Sequence, residues 1–166
     1  ISSKKATPSS KAKPLRVLNE SRDTTHYSII DKDGNAVSNT YTLGYSFGSG
    51  VTIPGTGILM NNQMNNFAYR YGDSSVDGRA GSPGNRYEPG KRPMSTMAPS
   101  MVFNKEGQLI LITGSPGGSY IPAAILRVIS GVIDFDLNIG SATMLPRIHK
   151  DWPYKGLDYE TTISAE

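Results

Sequence analysis

Four groups of residues carry types and spacings that could do chemistry. The first is Asp23-Thr24-Thr25-His26-Tyr27, a carboxylate beside two hydroxyls at the start of an apolar-containing run. A threonine hydroxyl is a weak nucleophile, and one known solution uses the free α-amine of the same N-terminal residue as its base. That amine titrates near 7.7–8.0, so it accepts a proton at neutral pH once the chain is cut just before it. Alone, a Thr-Thr pair opening a strand says little. The second group is Gly44-Tyr45-Ser46-Phe47-Gly48, which matches the G-x-S-x-G nucleophile elbow. That elbow needs a strand before it and a helix after it. Gly48-Ser49-Gly50 and Pro54-Gly55-Thr56-Gly57 follow, and no helix starts in such a segment, so a Gly-rich loop is the expected structure.

The third group is Gly114-Ser115-Pro116-Gly117-Gly118-Ser119, between an apolar run and a helical pattern. Backbone N–H groups at such a turn face any anion placed at the helix start. It lacks the lysine of a phosphate-binding loop. An oxyanion hole and a plain tight turn both fit this segment. The fourth is metal binding, for which His26 and His149 lie far apart with no cysteine and no paired acid motif. No metal and no cofactor are expected, and His26 is read as a hydrogen-bonding histidine in a strand.

The elements that must position these groups follow from local pattern. His26 to Asp31 runs into Lys32-Asp33-Gly34-Asn35, and Ala36 to Leu43 then alternates Val37, Asn39, Tyr41 and Leu43 on one face with Ser38, Thr40 and Thr42 on the other. An Asp-Gly pair between two such runs predicts a hairpin. Met101 to Phe103, a turn at Asn104 to Gly107 and Leu109 to Ile112 predict a second, whose continuously apolar arm suits a strand buried on both faces. Ile121, Ala124, Ile125, Val128, Ile129 and Val132 recur at helical spacing, with Pro122 in the first turn and Gly131 near the end. A shorter helix is predicted from Ile139 to Met144, stopped by Pro146. Tyr69 to Arg92 has no periodicity and reads as a long loop, of a length that is usually functional or disordered. Strands first and helices late argue against a doubly wound parallel sheet.

Composition bounds the function. The chain has 166 residues, 18 Gly, 11 Pro and no Cys, which fits one loop-rich domain and excludes a disulfide scaffold or a cysteine nucleophile. No run of about 18 apolar residues is present, and the first residues show no apolar signal core. The net charge of +3 is unevenly placed. Residues 1–23 hold six basic and two acidic residues, whereas the remainder is near −1. The basicity belongs to a Ser/Pro/Lys leader read as flexible, and without interleaved aromatics or a basic stripe no nucleic-acid partner is expected.

Taken together, Thr24-Thr25-His26-Tyr27-Ser28, Asp33-Gly34-Asn35-Ala36-Val37, Thr40-Tyr41-Thr42-Leu43, Gly57-Ile58-Leu59-Met60-Asn61-Asn62-Gln63-Met64, Lys91-Arg92-Pro93-Met94-Ser95-Thr96-Met97 and Gly114 to Ser119 resemble, in order and spacing, the small subunit of γ-glutamyltranspeptidases. The resemblance runs from about residue 17 to Trp152. It implies an α+β chain, an αββα sandwich of the N-terminal nucleophile hydrolase type, made as a precursor that cleaves itself between Asp23 and Thr24. Residues 1–23 would then be the tail of the large subunit and 24–166 the catalytic region. By the same resemblance Thr24 is the nucleophile, Thr42 orients it, and Gly117 and Gly118 form the oxyanion hole. Gln63, Asn66, Ser95 and Thr96 match positions that hold the donor. The implied partners are glutathione or another γ-glutamyl donor, an amino acid, peptide or water as acceptor, and the large subunit, which contributes an Arg. A periplasmic or secreted location is implied as well.

Three positions depart from the family pattern. Gly44 stands where many members have a substrate-contacting asparagine, and Asn66 where they have an aspartate that pairs with the α-ammonium. Asp77 stands where a lid aromatic is often found, which leaves Tyr71 and Tyr87 as candidates. An asparagine cannot supply the charge-assisted bond of a carboxylate. A glutaryl- or cephalosporin-type acylase using the same Thr24 is therefore the alternative enzyme, and a non-catalytic structural fragment the alternative outside enzymes. The end at Glu166 falls short of the usual small-subunit terminus, so the polypeptide is expected to be an incomplete enzyme on its own.

Overall fold

A computed structural model describes residues 23–68, 83–150 and 156–160. The leader, most of the 69–92 loop with Tyr71 and Asp77, and Trp152 lie outside the described residues.

Strand β1 (Thr24–Ile30) pairs antiparallel with β2 (Ala36–Thr42) in a register that sets Thr24 opposite Thr42 and His26 opposite Thr40. The Asp-Gly turn forms because Asp31 Oδ1 accepts the backbone N–H groups of Asp33 (2.9 Å) and Asn35 (2.8 Å), while the Asn35 amide donates to Asp31 Oδ2 at 2.7 Å. These bonds, the Asn35 side chain foremost, hold the Asp31 carboxyl below the usual carboxylate range.

Strand β3 (Ser100–Phe103) pairs antiparallel with β4 (Leu109–Thr113) around a turn in which Asn104 Oδ1 accepts from Glu106 and Gln108 N–H groups. A third small ribbon joins β5 (Ile148–His149) to β6 (Asp158–Tyr159). All three described sheets are antiparallel, in agreement with the reading against a parallel wound sheet.

Helix α1 (Ile121–Ile133) carries Pro122 in its first turn and buries Ile121, Ala124, Ile125 and Gly131. Helix α2 (Ile139–Met144) starts at Asn138, whose side chain accepts from the Ser141 N–H at 2.9 Å. The two helices meet through small residues: a Cβ at Gly131 would lie 3.0 Å from the Ala142 Cβ. Among the described residues Ile121 (1% exposed), Ala124, Ile125, Ala142, Leu111, Phe67 (2%) and Ala68 are the buried apolar side chains. Each of the larger ones adds about 1.5–3 kcal/mol by leaving water.

One expectation about faces is corrected. Strand β4 is not buried on both sides, because Ile110 is 47% exposed between the half-buried Leu109 and the buried Leu111. Among the described residues its only ladder partner is β3, and no described element covers the outer face. In β2 it is the hydroxyl face, Ser38, Thr40 and Thr42, that turns inward, while Val37 and Tyr41 are exposed. Ser38 Oγ donates to the Thr113 carbonyl at 3.1 Å, one hydroxyl contact between the first hairpin and the second.

Candidate functional site

The site begins at the end of the first hairpin. The Thr24/Thr42 register brings residue 23 beside β2, and Thr42 Oγ1 donates to the Asp23 carbonyl oxygen at 2.9 Å. The same hydroxyl accepts the Gly44 N–H at 2.9 Å. A hydroxyl has one proton, so with its lone pair engaged by Gly44 that proton is directed at Asp23. Ser46 Oγ donates to Asp23 Oδ1 at 2.5 Å. The segment after Ser46 is turns, with no helix, so the nucleophile-elbow pattern has its strand and lacks its other half.

Gly44 is packed against the next segment. Its φ is +93°, and a Cβ there would fall 1.9 Å from Asn62 Oδ1 and 3.4 Å from Gln63 Nε2. The space that a side chain at 44 would occupy is filled by the Asn62 carboxamide. Gln63 and Asn66 lie on one short 3-10 turn (Gln63–Asn66), where Asn66 Nδ2 donates to Gln63 Oε1 at 2.7 Å. Asn62 itself is tied back by its N–H to the Leu43 carbonyl at 2.9 Å.

Asn85, which no sequence pattern singles out, connects this turn to the Ser95 segment. Its Nδ2 donates to the Asn66 carbonyl at 2.7 Å and its Oδ1 accepts the Met94 N–H at 2.9 Å. The Ala68 N–H donates to the Asn85 carbonyl at 2.9 Å, and Tyr87 stacks edge-on against buried Phe67 at 5.5 Å. Of the two candidate lid aromatics Tyr87 is thus engaged by a core ring, with 49% of its surface exposed. An asparagine in a Gly/Pro-rich loop carries no periodic signal; its position shortly before Lys91-Arg92-Pro93 was the one available hint.

The Gly-rich turn follows β4. Gly117 (φ +127°) and Gly118 (φ +57°) take conformations open to glycine, and Gly118–Tyr120 forms a 3-10 turn that runs into α1. Thr96 Oγ1 donates to the Gly118 carbonyl at 2.7 Å, which fixes the peptide after Gly118. Ser95 is exposed, its Oγ accepting the Met97 N–H. Thr96 also lines a cleft of about 510 Å³ with Met94, Ser119, Pro122 and His149. None of Thr24, Thr42, Gln63 and Asn66 lines that cleft.

His26 joins the two halves. Its Nδ1 shares a hydrogen bond with Thr40 Oγ1 at 2.7 Å and its Nε2 one with Ser28 Oγ at 3.0 Å. The ring lies against Gly114, where a Cβ would come within 2.2 Å of Cε1 and Nδ1. Burial lowers the imidazole below its ordinary pKa of 6.5. The hydrogen-bonding role expected of this histidine is the one it has.

The whole chain, residues 1–166, matches the family model described as gamma-glutamyltranspeptidase. It is 46% identical over 163 residues to the glutathione hydrolase proenzyme of Escherichia coli (strain K12), covering 98% of this chain and 28% of that protein. Among solved structures, a mutant of Helicobacter pylori γ-glutamyltranspeptidase superposes with a TM-score of 0.76 at 44% identity, over 81% of this chain and 72% of that one. The γ-glutamyltranspeptidase from Pseudomonas nitroreducens complexed with L-DON gives 0.73 at 46%, over 78% and 66%. The chain thus spans a little over a quarter of the length of the E. coli protein it matches.

Proposed function

Because the chain belongs to the γ-glutamyltranspeptidase family, we propose that the protein containing it transfers and hydrolyses γ-glutamyl groups, glutathione among them, through an ester on Thr24. The observation that carries the reading is the Thr42 hydroxyl on the Asp23 carbonyl, 2.9 Å away, with Thr24 directly across the ladder from Thr42. A donor aimed at the carbonyl oxygen stabilises the charge that develops there when a neighbouring hydroxyl adds to the carbon.

In the self-cleavage step Thr24 Oγ adds to the Asp23 carbonyl carbon, the C–N bond breaks, and the proton passes to the Thr24 nitrogen. Water then hydrolyses the ester and leaves a free α-amine on Thr24. That amine accepts the hydroxyl proton in the next reaction, when Thr24 Oγ attacks the γ-amide carbon of the donor. The Gly117 and Gly118 N–H groups hold the oxyanion, and the leaving amine takes the proton. Water or an acceptor amine resolves the γ-glutamyl ester. Gln63, Asn66, Ser95 and Thr96 hold the α-amino and α-carboxylate end of the donor, the large subunit supplies an Arg, and residues 1–23 become that subunit's tail. The two hairpins and two helices are completed by the large subunit into an αββα sandwich, which accounts for the apolar Ile110, Val37 and Tyr41 on uncovered faces. The setting is periplasmic or extracellular.

A second reading has one observation in its favour. Asn66 presents a carboxamide already donating to Gln63, with no carboxylate to pair an α-ammonium. This favours acceptance of glutaryl-type donors beside γ-glutamyl ones.

Thr24→Ala tests the first reading. The variant is expected to remain uncleaved by intact mass and to release no product from a γ-glutamyl anilide. Retained turnover would remove Thr24 as the nucleophile.

A further inference from the structure

One contact at the junction has no part in the mechanism above, the hydrogen bond from Ser46 Oγ to Asp23 Oδ1. We propose that Ser46 is a positioning residue for self-cleavage: it holds the Asp23 carboxylate aside, so that the Asp23 carbonyl keeps its contact with Thr42 and stays open to Thr24 Oγ. The inference rests on the reading of Thr24 as the self-cleaving nucleophile.

Asp23 is held at two atoms by residues four apart on one segment. Thr42 takes the carbonyl oxygen at 2.9 Å and Ser46 takes the side chain at 2.5 Å. A single contact leaves Asp23 free to rotate about it, whereas two determine the direction its carbonyl faces. The Ser46 loop is braced, because Gly48 N–H donates to the Tyr45 carbonyl at 2.8 Å, Ser49 N–H to the Met60 carbonyl at 2.9 Å, and Asn62 N–H to the Leu43 carbonyl at 2.9 Å. The hydroxyl is therefore presented from a loop that is tied at both ends to the 60–62 segment.

Electrostatics gives the contact its purpose. When Thr24 Oγ adds, the Asp23 carbonyl oxygen gains negative charge, and a carboxylate on the same residue opposes that gain. The opposition depends on the side-chain rotamer, which Ser46 determines, and the donated proton draws charge toward Oδ1. Once water has hydrolysed the ester, Asp23 ends a separate fragment, so this contact serves the chain only up to that step.

The test follows cleavage of the Asp23–Thr24 bond by intact mass in the full precursor polypeptide. Ser46→Ala is expected to slow cleavage about tenfold, the loss expected for one hydrogen bond to a charged group. Ser46→Thr, which keeps the hydroxyl, restores it to within about threefold of wild type on the same ground. Asp23→Ala keeps the scissile carbonyl and still cleaves, and adding Ser46→Ala to it slows cleavage no further. Wild-type cleavage by Ser46→Ala, an equal slowing by Ser46→Ala in the Asp23→Ala background, or an inert Asp23→Ala chain overturns the role of Ser46 while leaving Thr24 in place. An uncleaved wild-type precursor, or a Thr24→Ala chain that cleaves, overturns the nucleophile reading and this inference with it.

Discussion

The His26 ring lies so close against Gly114 that a single added carbon would sit 2.2 Å from Nδ1 and Cε1. Residues 88 positions apart in the chain thus meet where β1 passes the Gly-rich turn, and the meeting tolerates no side chain. Gly114→Ala must displace the ring, break its bond to Thr40, or shift the turn that carries Gly117 and Gly118. Overpacking of this kind costs about 1–3 kcal/mol. Thermal unfolding of the variant is expected several degrees below wild type, with kcat for a γ-glutamyl anilide reduced more than KM is raised. An unchanged Tm and kcat would show that the ring moves freely.

The same histidine makes stability depend on pH. Burial lowers its pKa in the folded chain below the ordinary 6.5, so the unfolded chain binds the proton first as pH falls. The stability tied to neutral His26 is fully present above pH 6.5, begins to fall below it, and is lost once pH has passed the lower folded value. Unfolding midpoints in urea from pH 8 to pH 5 are expected to decline across this window. His26→Gln should flatten that part of the profile, and an equal slope in both proteins would assign it to another group.

Asn85 ties the Asn66 carbonyl to the Met94 N–H, and so sets the spacing between the Gln63/Asn66 turn and Ser95. Asn85→Ala leaves both backbone groups without that partner, a loss of about 1–3 kcal/mol where they are shielded from water. The expected kinetic signature is a KM for γ-glutamyl anilide raised about tenfold or more with kcat changed less. A fall in kcat at constant KM would place Asn85 with the nucleophile instead of the donor.

Asn66→Asp restores a carboxylate beside Gln63. It is expected to raise kcat/KM for γ-glutamyl anilide relative to glutaryl anilide by about tenfold, since a charge-assisted bond replaces a neutral one. No relative gain would mean that Asn66 does not face the donor's α-ammonium.

Much of the local structure was legible because its causes are local. The Asp31 carboxylate and Gly34 make the first turn, Asn104 the second, and Pro122 with the 3.6-residue spacing of Ile121, Ala124, Ile125 and Val128 the helix; each α-helix spans the predicted stretch. Burial was less legible. An apolar run such as Leu109 to Ile112 reports that a face wants covering, not whether the residues that cover it lie within the chain.

The sequence by itself determined the hairpins, the helices, the Gly-rich turn and the family, through turn chemistry, periodicity and the order of six short motifs. Only the tertiary structure decided which of these meet. It brought Ser46 to Asp23, Asn62 over Gly44, Asn85 between Asn66 and Met94, and His26 under Gly114. Those contacts join residues from 9 to 88 positions apart. They depend on register and on how two hairpins pack, and no period or propensity along one segment encodes that.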